Sequence, residues 1–241
     1  MLGTVFQWHN YGQSTIGEKS DIEGAPIERL QAFYRNSYQP DNAVLVVAGK
    51  IDEEKTLQLV NEYFGKIPRP TRTLIPTYTR EPTQDGERRL VLRRVGDVQV
   101  ATAWYRTPAF AHPDYAPLSV LANLMSDEPS GRLYRALVES KKAVSVRGNA
   151  SGFAEAGVCA FWAELRQEQS VEEAERILLE TIENLKTNPP TDDEVEKAKT
   201  RLLKNFEMFM KQSDRVGLAL SNYIGQGDGA SDSYTATPWR K

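Results

Sequence analysis

The chain is poor in the residues that hold metals and make cross-links. Its 241 residues contain one cysteine, Cys159, and two histidines, His9 and His112. A single cysteine excludes an internal disulfide. A catalytic zinc takes three protein ligands and keeps one position open, and neither histidine has a His or Glu three or four residues away on a helical face. His9 lies in Trp8-His9-Asn10-Tyr11-Gly12, which reads as a loop. His112 lies in Ala111-His112-Pro113-Asp114, which reads as the turn before a helix. Cys159, between Val158 and Ala160 in an apolar stretch, reads as a small buried hydrophobe rather than a nucleophile. Long apolar runs are missing too, and none approaches the ~18 residues of a membrane span. Met1-Leu2-Gly3 reads as the start of a polar loop, and no signal peptide is expected over these first residues. Thirty basic residues against 33 acidic leave a net charge of −3, so no global field points to nucleic acid or a lipid surface.

What is present is a chain of ordinary globular composition, long enough for one or two domains. Residues 1–26 read as loop, punctuated by Gly3, Gly12, Gly17, Gly24 and Pro26. Pro26 starts a helix over 27–36, with Ile27, Leu30, Phe33 and Tyr34 on one face. Ala43–Ala48 reads as a strand apolar at every position, and Asp52 caps a helix over 53–64. Such a strand wants neighbours on both edges and cover on both faces, and residues 1–80 supply no convincing partner. Residues 66–86, with prolines at 68, 70, 76 and 82 among threonines, read as an extended linker and the domain boundary. Beyond it, 87–95 and 99–106 read as strands and 112–125 as a helix. A shorter helix follows over 132–140, then strands over 143–150 and 157–165 and an amphipathic helix over 171–186. Thr191-Asp192-Asp193-Glu194 is a capping box opening a helix to about Tyr223. The order β-β-α-α-β-β-α-α predicts an α+β fold, a mainly antiparallel sheet with helices on one face, preceded by a partial α/β unit over 1–80.

The stretch Tyr34-Arg35-Asn36-Ser37-Tyr38-Gln39-Pro40-Asp41-Asn42, the apolar Ala43–Ala48, and Gly49-Lys50-Ile51-Asp52 together resemble the pitrilysin/insulinase family of zinc peptidases, which includes the mitochondrial processing peptidases. Its pattern there is helix, Tyr-x-Pro-x-Asn, apolar strand, Gly-x-Phe-Asp and helix. The likeness extends into Trp8–Gly17 and Ser20–Glu23 and covers most of residues 5–228. The family carries zinc on an inverted H-x-x-E-H helix upstream of this stretch, a motif that occurs nowhere in the chain. The resemblance implies that this helix and the third zinc ligand, a Glu, would precede Met1. It also implies an Arg and a Tyr, seven residues apart, holding substrate in the family's partner half. Val138 and Ser145 stand at those positions, so that pair is absent, which fits the zinc-bearing half rather than its partner. Arg132, in the Ser130-Gly131-Arg132-Leu133 turn, reads as a surface or cap residue.

No residue therefore receives a catalytic or metal-binding role, and the substrate-binding residues stay open. Lys141-Lys142 with Arg147, and Arg88-Arg89 with Arg93-Arg94, read as solvated strand edges rather than nucleic-acid contacts. The acidic clusters Glu172-Glu173 and Asp192–Glu194 fall at helix starts, where carboxylates suit the dipole. The resemblance implies a fragment of a zinc metallopeptidase that supplies chamber wall and scaffold without the catalytic site. Zinc is implied for the full-length parent and not for this chain. The partner would be the missing catalytic segment or a homologous peptidase half, with peptide substrates only in the complete chamber. The alternative is a non-catalytic subunit that pairs with an active peptidase chain. The compartment stays open between an exported parent and a cytoplasmic one.

The far end departs from the family pattern. After Asp228 the family continues with Trp-Arg-Leu and aromatics, whereas Gly229–Lys241 is a run of mostly small, polar residues. A shifted reading frame or a natural polar tail would each produce it. The segment has no hydrophobic period at 2 or 3.6 residues and is expected to be unstructured. Deleting residues 229–241 is expected to move the stability measured by urea denaturation by less than about 0.5 kcal/mol, the usual limit for changes remote from packed features. A loss above about 1 kcal/mol would place the tail among the packed parts.

Overall fold

The structure, a computed structural model, describes residues 1–74 and 78–227. The expected tail, Gly229–Lys241, lies outside them. The chain separates into two compact units, Met1–Val91 and Leu92 onward.

The first unit holds helices α1 (Leu2–Val5), α2 (Lys19–Gly24), α3 (Ile27–Ser37) and α4 (Glu53–Phe64). Its small centre is Val5, Phe6 and His9, all buried. The Phe6, His9 and Tyr11 rings meet there, with His9 and Tyr11 centroids 4.2 Å apart. The loop expected over 1–26 is thus partly helical and folded on itself. Gly12 is required at this point, because a Cβ there would come within 2.1 Å of the Phe6 carbonyl oxygen. The proline-rich segment ties back to this unit at two places. The Arg72 guanidinium donates to both Asp41 carboxylate oxygens, at 2.6 and 2.9 Å. The Glu81 carboxylate accepts from the backbone N–H groups of Gln7, Trp8 and His9, at 3.0, 2.8 and 3.0 Å.

Helices α3 and α4 form where their periodicity and caps place them. The Asp52 side chain accepts from the Lys55 N–H at 3.0 Å, satisfying one orphan donor of the first turn. Their apolar faces are bare: Ile27, Leu30, Phe33, Tyr34, Leu57 and Phe64 are all exposed. The strand expected at Ala43–Ala48 does not form. The segment starts extended, with Ala43 at φ −134° and ψ 138°, but has no ladder, because no strand lies in the described part of this unit. Val44, Leu45 and Val47 are 66%, 56% and 45% exposed.

The second unit is built on three antiparallel strands, β1 (Val98–Thr107), β2 (Ser145–Ser151) and β3 (Gly157–Arg166), in the order β1-β3-β2. Register pairs Ala103 with Phe161 and Ala101 with Ala163, and on the other side Val146 with Ala163. Ala101, Ala103, Cys159, Phe161, Ala163 and Leu165 point to one face and are buried there. Helix α5 (Tyr115–Ser126) packs on β2, and α6 (Val171–Glu183) on β1. Helix α7 (Asp192–Met210) lies against α5, and α8 (Ser213–Gly225) follows it. The fold is α+β, with helices packed on one face of an antiparallel sheet. Inward positions of α6 follow the expected stripe, with Ala174, Leu178 and Ile182 buried.

Three expectations need correction here. Residues 87–95 form no strand, and Leu90, Val91, Leu92 and Val95 are exposed. The short helix over 132–140 is wound as a π turn over Tyr134–Glu139. It ends at Lys141, whose φ of 62° is left-handed. The long helix breaks after Met210, and a new one starts at Ser213. There Gln212 is extended and Asp214 sits in the new first turn, where a carboxylate favours a helix start over continuation.

Leu178 is fully buried between α6 and the sheet. Leu178→Ala is expected to destabilise the second unit by about 2–5 kcal/mol in urea unfolding. Leu45→Ala, at an exposed position, is expected to change stability by less than about 0.5 kcal/mol. Equal effects of the two substitutions would show that Leu45 is packed in solution.

Candidate functional site

Neither histidine faces a partner set for metal. His9 Nδ1 accepts the Tyr11 N–H at 3.1 Å, and His112 Nδ1 accepts the Asp114 N–H at 3.1 Å. Both rings are thus used as local caps, and they belong to different units. Among the described residues no group of three or more His, Cys, Asp or Glu is arranged to hold a metal ion. Cys159 is buried on the helix-covered face of the sheet, and burial pushes its thiol up to about 11. That leaves it protonated and a poor nucleophile at neutral pH. Val138 is half-buried in the π turn, and Ser145 opens β2 opposite Glu164.

The best-organised polar cluster surrounds Arg132. Its guanidinium donates to both Glu194 carboxylate oxygens, from Nε at 2.9 Å and from Nη2 at 2.7 Å. It also donates to the carbonyls of Asn188 at 2.6 Å and Pro189 at 3.1 Å. Glu194 is the third residue of α7 and accepts the Thr191 N–H at 2.9 Å, while Thr191 Oγ1 accepts the Glu194 N–H at 3.3 Å. The capping box read from the sequence is therefore formed, and the same carboxylate is also gripped by an arginine 62 residues away. The Arg132 guanidinium, with the Thr191 hydrogen bonds, holds the Glu194 carboxyl at about 2, against an ordinary 4.5. Beside it, Asp127 pairs with Arg201, which donates to the Glu128 carbonyl at 3.1 Å.

An open cleft of about 800 Å³ runs along this cluster, lined by Asn123, Asp127, Ser130, Arg135, Asp193 and Lys197 among others. Ser130 Oγ lies 3.4 Å from an Asp127 oxygen, and Lys197 donates to Asp193 at 2.6 Å. No histidine or cysteine is among the residues that line the cleft. The arrangement anchors the 127–132 segment and the start of α7, which makes Arg132 a clamp within the fold.

The other organised surface is the sheet face turned away from the helices. Trp104 and Trp162 meet edge-to-face, with ring centroids 5.3 Å apart at 83°, and Trp104 Nε1 donates to Thr102 Oγ1 at 2.6 Å. Arg147 on β2 is paired in register with Trp162. This grouping goes unread in the sequence, although period-2 alternation in Ala101-Thr102-Ala103-Trp104 and Phe161-Trp162-Ala163 places both tryptophans on the face opposite the buried alanines.

Residues 25–202 match the peptidase M16 inactive domain family. The chain is 27% identical over 230 residues to the zinc protease PqqE of Helicobacter pylori, covering 94% of this chain and 52% of that protein. It is 22% identical over 214 residues to the mitochondrial-processing peptidase subunit beta of Lentinula edodes, covering 82% of this chain and 45% of that one. The crystal structure of a protease from Helicobacter pylori superposes with a TM-score of 0.86 at 27% identity, over 97% of this chain and 57% of that one. The chain thus spans about half the length of the curated relatives it matches.

The lowered Glu194 pKa has a defined pH signature. A carboxyl lowered on folding contributes fully above its ordinary value of 4.5, and the contribution is lost as pH falls towards about 2. Glu194→Gln is expected to destabilise the second unit at pH 7 by on the order of 2 kcal/mol, after allowance for partial exposure of the pair. The gap between wild type and variant should shrink as pH falls below 4.5. A gap that is constant from pH 7 to pH 3 would show that the Arg132 grip is not electrostatic.

Proposed function

The chain belongs to the peptidase M16 family, and from that premise we propose that it serves as chamber wall and scaffold in a zinc peptidase whose catalytic ligands come from elsewhere. In this reading residues 1–80 supply the end of a half's first domain, and 81–228 supply its second-domain repeat. The metal is that of the parent, where zinc would polarise the water that attacks the peptide bond. Both histidine Nδ1 atoms are used as backbone caps, and among the described residues no group of three or more His, Cys, Asp or Glu fits a zinc site.

The observation that carries the reading is the bare apolar surface of the first unit. The α3 and α4 faces and Val44, Leu45 and Val47 stand exposed on a segment whose pattern is that of a doubly covered strand. At ~25 cal/mol per Å² of apolar area removed from water, covering it would be worth several kcal/mol. A homologous segment that adds strands beside residues 43–48 would provide that cover, whether joined to this chain or carried on a separate subunit.

The test begins with metal analysis after gel filtration. The chain by itself is expected to hold sub-stoichiometric zinc and to leave an unstructured peptide uncleaved. Co-expression with a zinc-bearing half of a relative is expected to slow hydrogen exchange over residues 43–48. Stoichiometric zinc together with chelator-sensitive cleavage by this chain alone would overturn the reading.

A further inference from the structure

We propose that the outward face of the β1-β3-β2 sheet holds an extended polypeptide by one large apolar side chain and a neighbouring carboxylate, with Trp104 and Trp162 taking the first and Arg147 the second. The origin of that polypeptide, a substrate crossing the wall, rests on the chamber-wall reading; the binding itself does not.

The geometry on this face is set by strand register. Thr102, Trp162 and Arg147 line up across the three strands, and Trp104, Ala160 and Asn149 form the next row. Opposite Trp104 stands the small Ala160, itself buried, so the indole has room beside Trp162. The edge-to-face pair is fixed partly by the Trp104 Nε1 hydrogen bond to Thr102 Oγ1. Both indoles are half-buried and keep part of their surface open. Fixed indoles bind an apolar group with little further loss of side-chain freedom, which is why tryptophan is common among residues that dominate binding.

Charge chooses the second element. The outward positions carry Arg106, Arg147 and Arg166 against one acid, Glu164. Arg166 lies 4.0 Å from Glu168. Arg147 is exposed and forms no ion pair among the described residues. A guanidinium on a strand, paired in register with an indole, offers a planar fork to a carboxylate lying beside the apolar side chain. Side chains on one face of an extended peptide recur at every second residue, about 6.6 Å apart, which suits one residue on the indoles and the next but one on Arg147. Two other occupants fit worse. A nucleic-acid strand would bring phosphates past Glu164, and the chain as a whole is at −3. A second copy meeting by the same face would bring arginines towards arginines.

The test uses the whole chain and two fluorescently labelled ten-residue peptides, identical except for Phe-Ala-Glu or Phe-Ala-Lys at the centre, read by polarisation. Wild type is expected to bind the Phe-Ala-Glu peptide about tenfold more tightly than the Phe-Ala-Lys peptide, the scale of one well-placed ionic contact. Arg147→Ala should erase the difference, and Arg147→Glu, a surface change that leaves the core intact, should reverse it. Trp162→Ala should weaken both peptides by about tenfold or more, with circular dichroism confirming that the variant is folded. No binding of either peptide overturns the proposal, as does discrimination that survives Arg147→Glu. Tighter binding of an oligothymidine strand that is lost in the same variants would also overturn it, by assigning the face to nucleic acid. Because no zinc-bearing half is present, success or failure here is read independently of whether the chain walls a peptidase chamber.

Discussion

Everything in the second unit depends on strand β3 being lined by small side chains where helices must approach. Residues 157–165 put Cys159, Ala163 and the flatter Phe161 on the helix-covered face, and the register sets Ala101 and Ala103 beside them. Such a surface lets α5 and α6 come close enough for Leu178, Met125 and Leu133 to fill the space between layers with no exposed area. A bulkier residue at 163 would hold the helices off and open voids around all three, because close-packed interiors do not absorb an extra group without displacement. The same strand is hydrogen-bonded on both sides, so it also fixes which residues of β1 and β2 face outward. The tryptophan pair and Arg147 owe their alignment to it.

The first unit shows the opposite condition. Its helices have proper caps and periodic apolar faces, yet the faces are uncovered and the segment between them has no ladder. What order it has comes from polar ties, above all one carboxylate, Glu81, that satisfies three adjacent backbone donors and lies near Arg88. Arg88 in turn donates to the Thr4 carbonyl at 3.1 Å. Hydrogen bonds of this kind select a local shape but add little net free energy, since water satisfies the same groups in the unfolded chain. A large folding energy needs the apolar faces buried, which is the physical basis of the proposal that a further segment or subunit covers them.

Local signals in the sequence were good guides where a structure is decided locally. Asp52 caps α4, Thr191 and Glu194 form a capping box, and the α6 stripe of Ala174, Leu178 and Ile182 is the buried one. β1, β2 and β3 lie within a few residues of where alternation puts them. Readings failed where the outcome depends on distant partners. Ala43–Ala48 and residues 87–95 have strand-like composition but join no ladder among the described residues. The break at Lys211-Gln212 turns on a choice between two helix starts that periodicity cannot rank. Arg132 read as an ordinary first-turn residue because nothing local reveals that Glu194, 62 positions on, completes it. The outward tryptophans were hidden for a different reason: alternation says that they share a face, but not which face the helices will cover.

The double use of Glu194 links two segments into one opening unit. Its carboxylate holds the first turn of α7 and the Arg132 side chain together, while Arg201, two turns further along α7, binds the 127–128 segment from the other side. Helix ends usually fray alone, turn by turn, with free energies near zero. Here the first turn of α7 cannot leave without releasing a bidentate ion pair, two carbonyl contacts and the loop that precedes the π turn. The amides of residues 192–196 should therefore exchange in step with those around 127–133, as one cooperative block rather than a gradient. A terminus fastened in this way transmits displacement of the loop directly to the axis of the helix, so the cleft between them behaves as a rigid corner and not as a hinge.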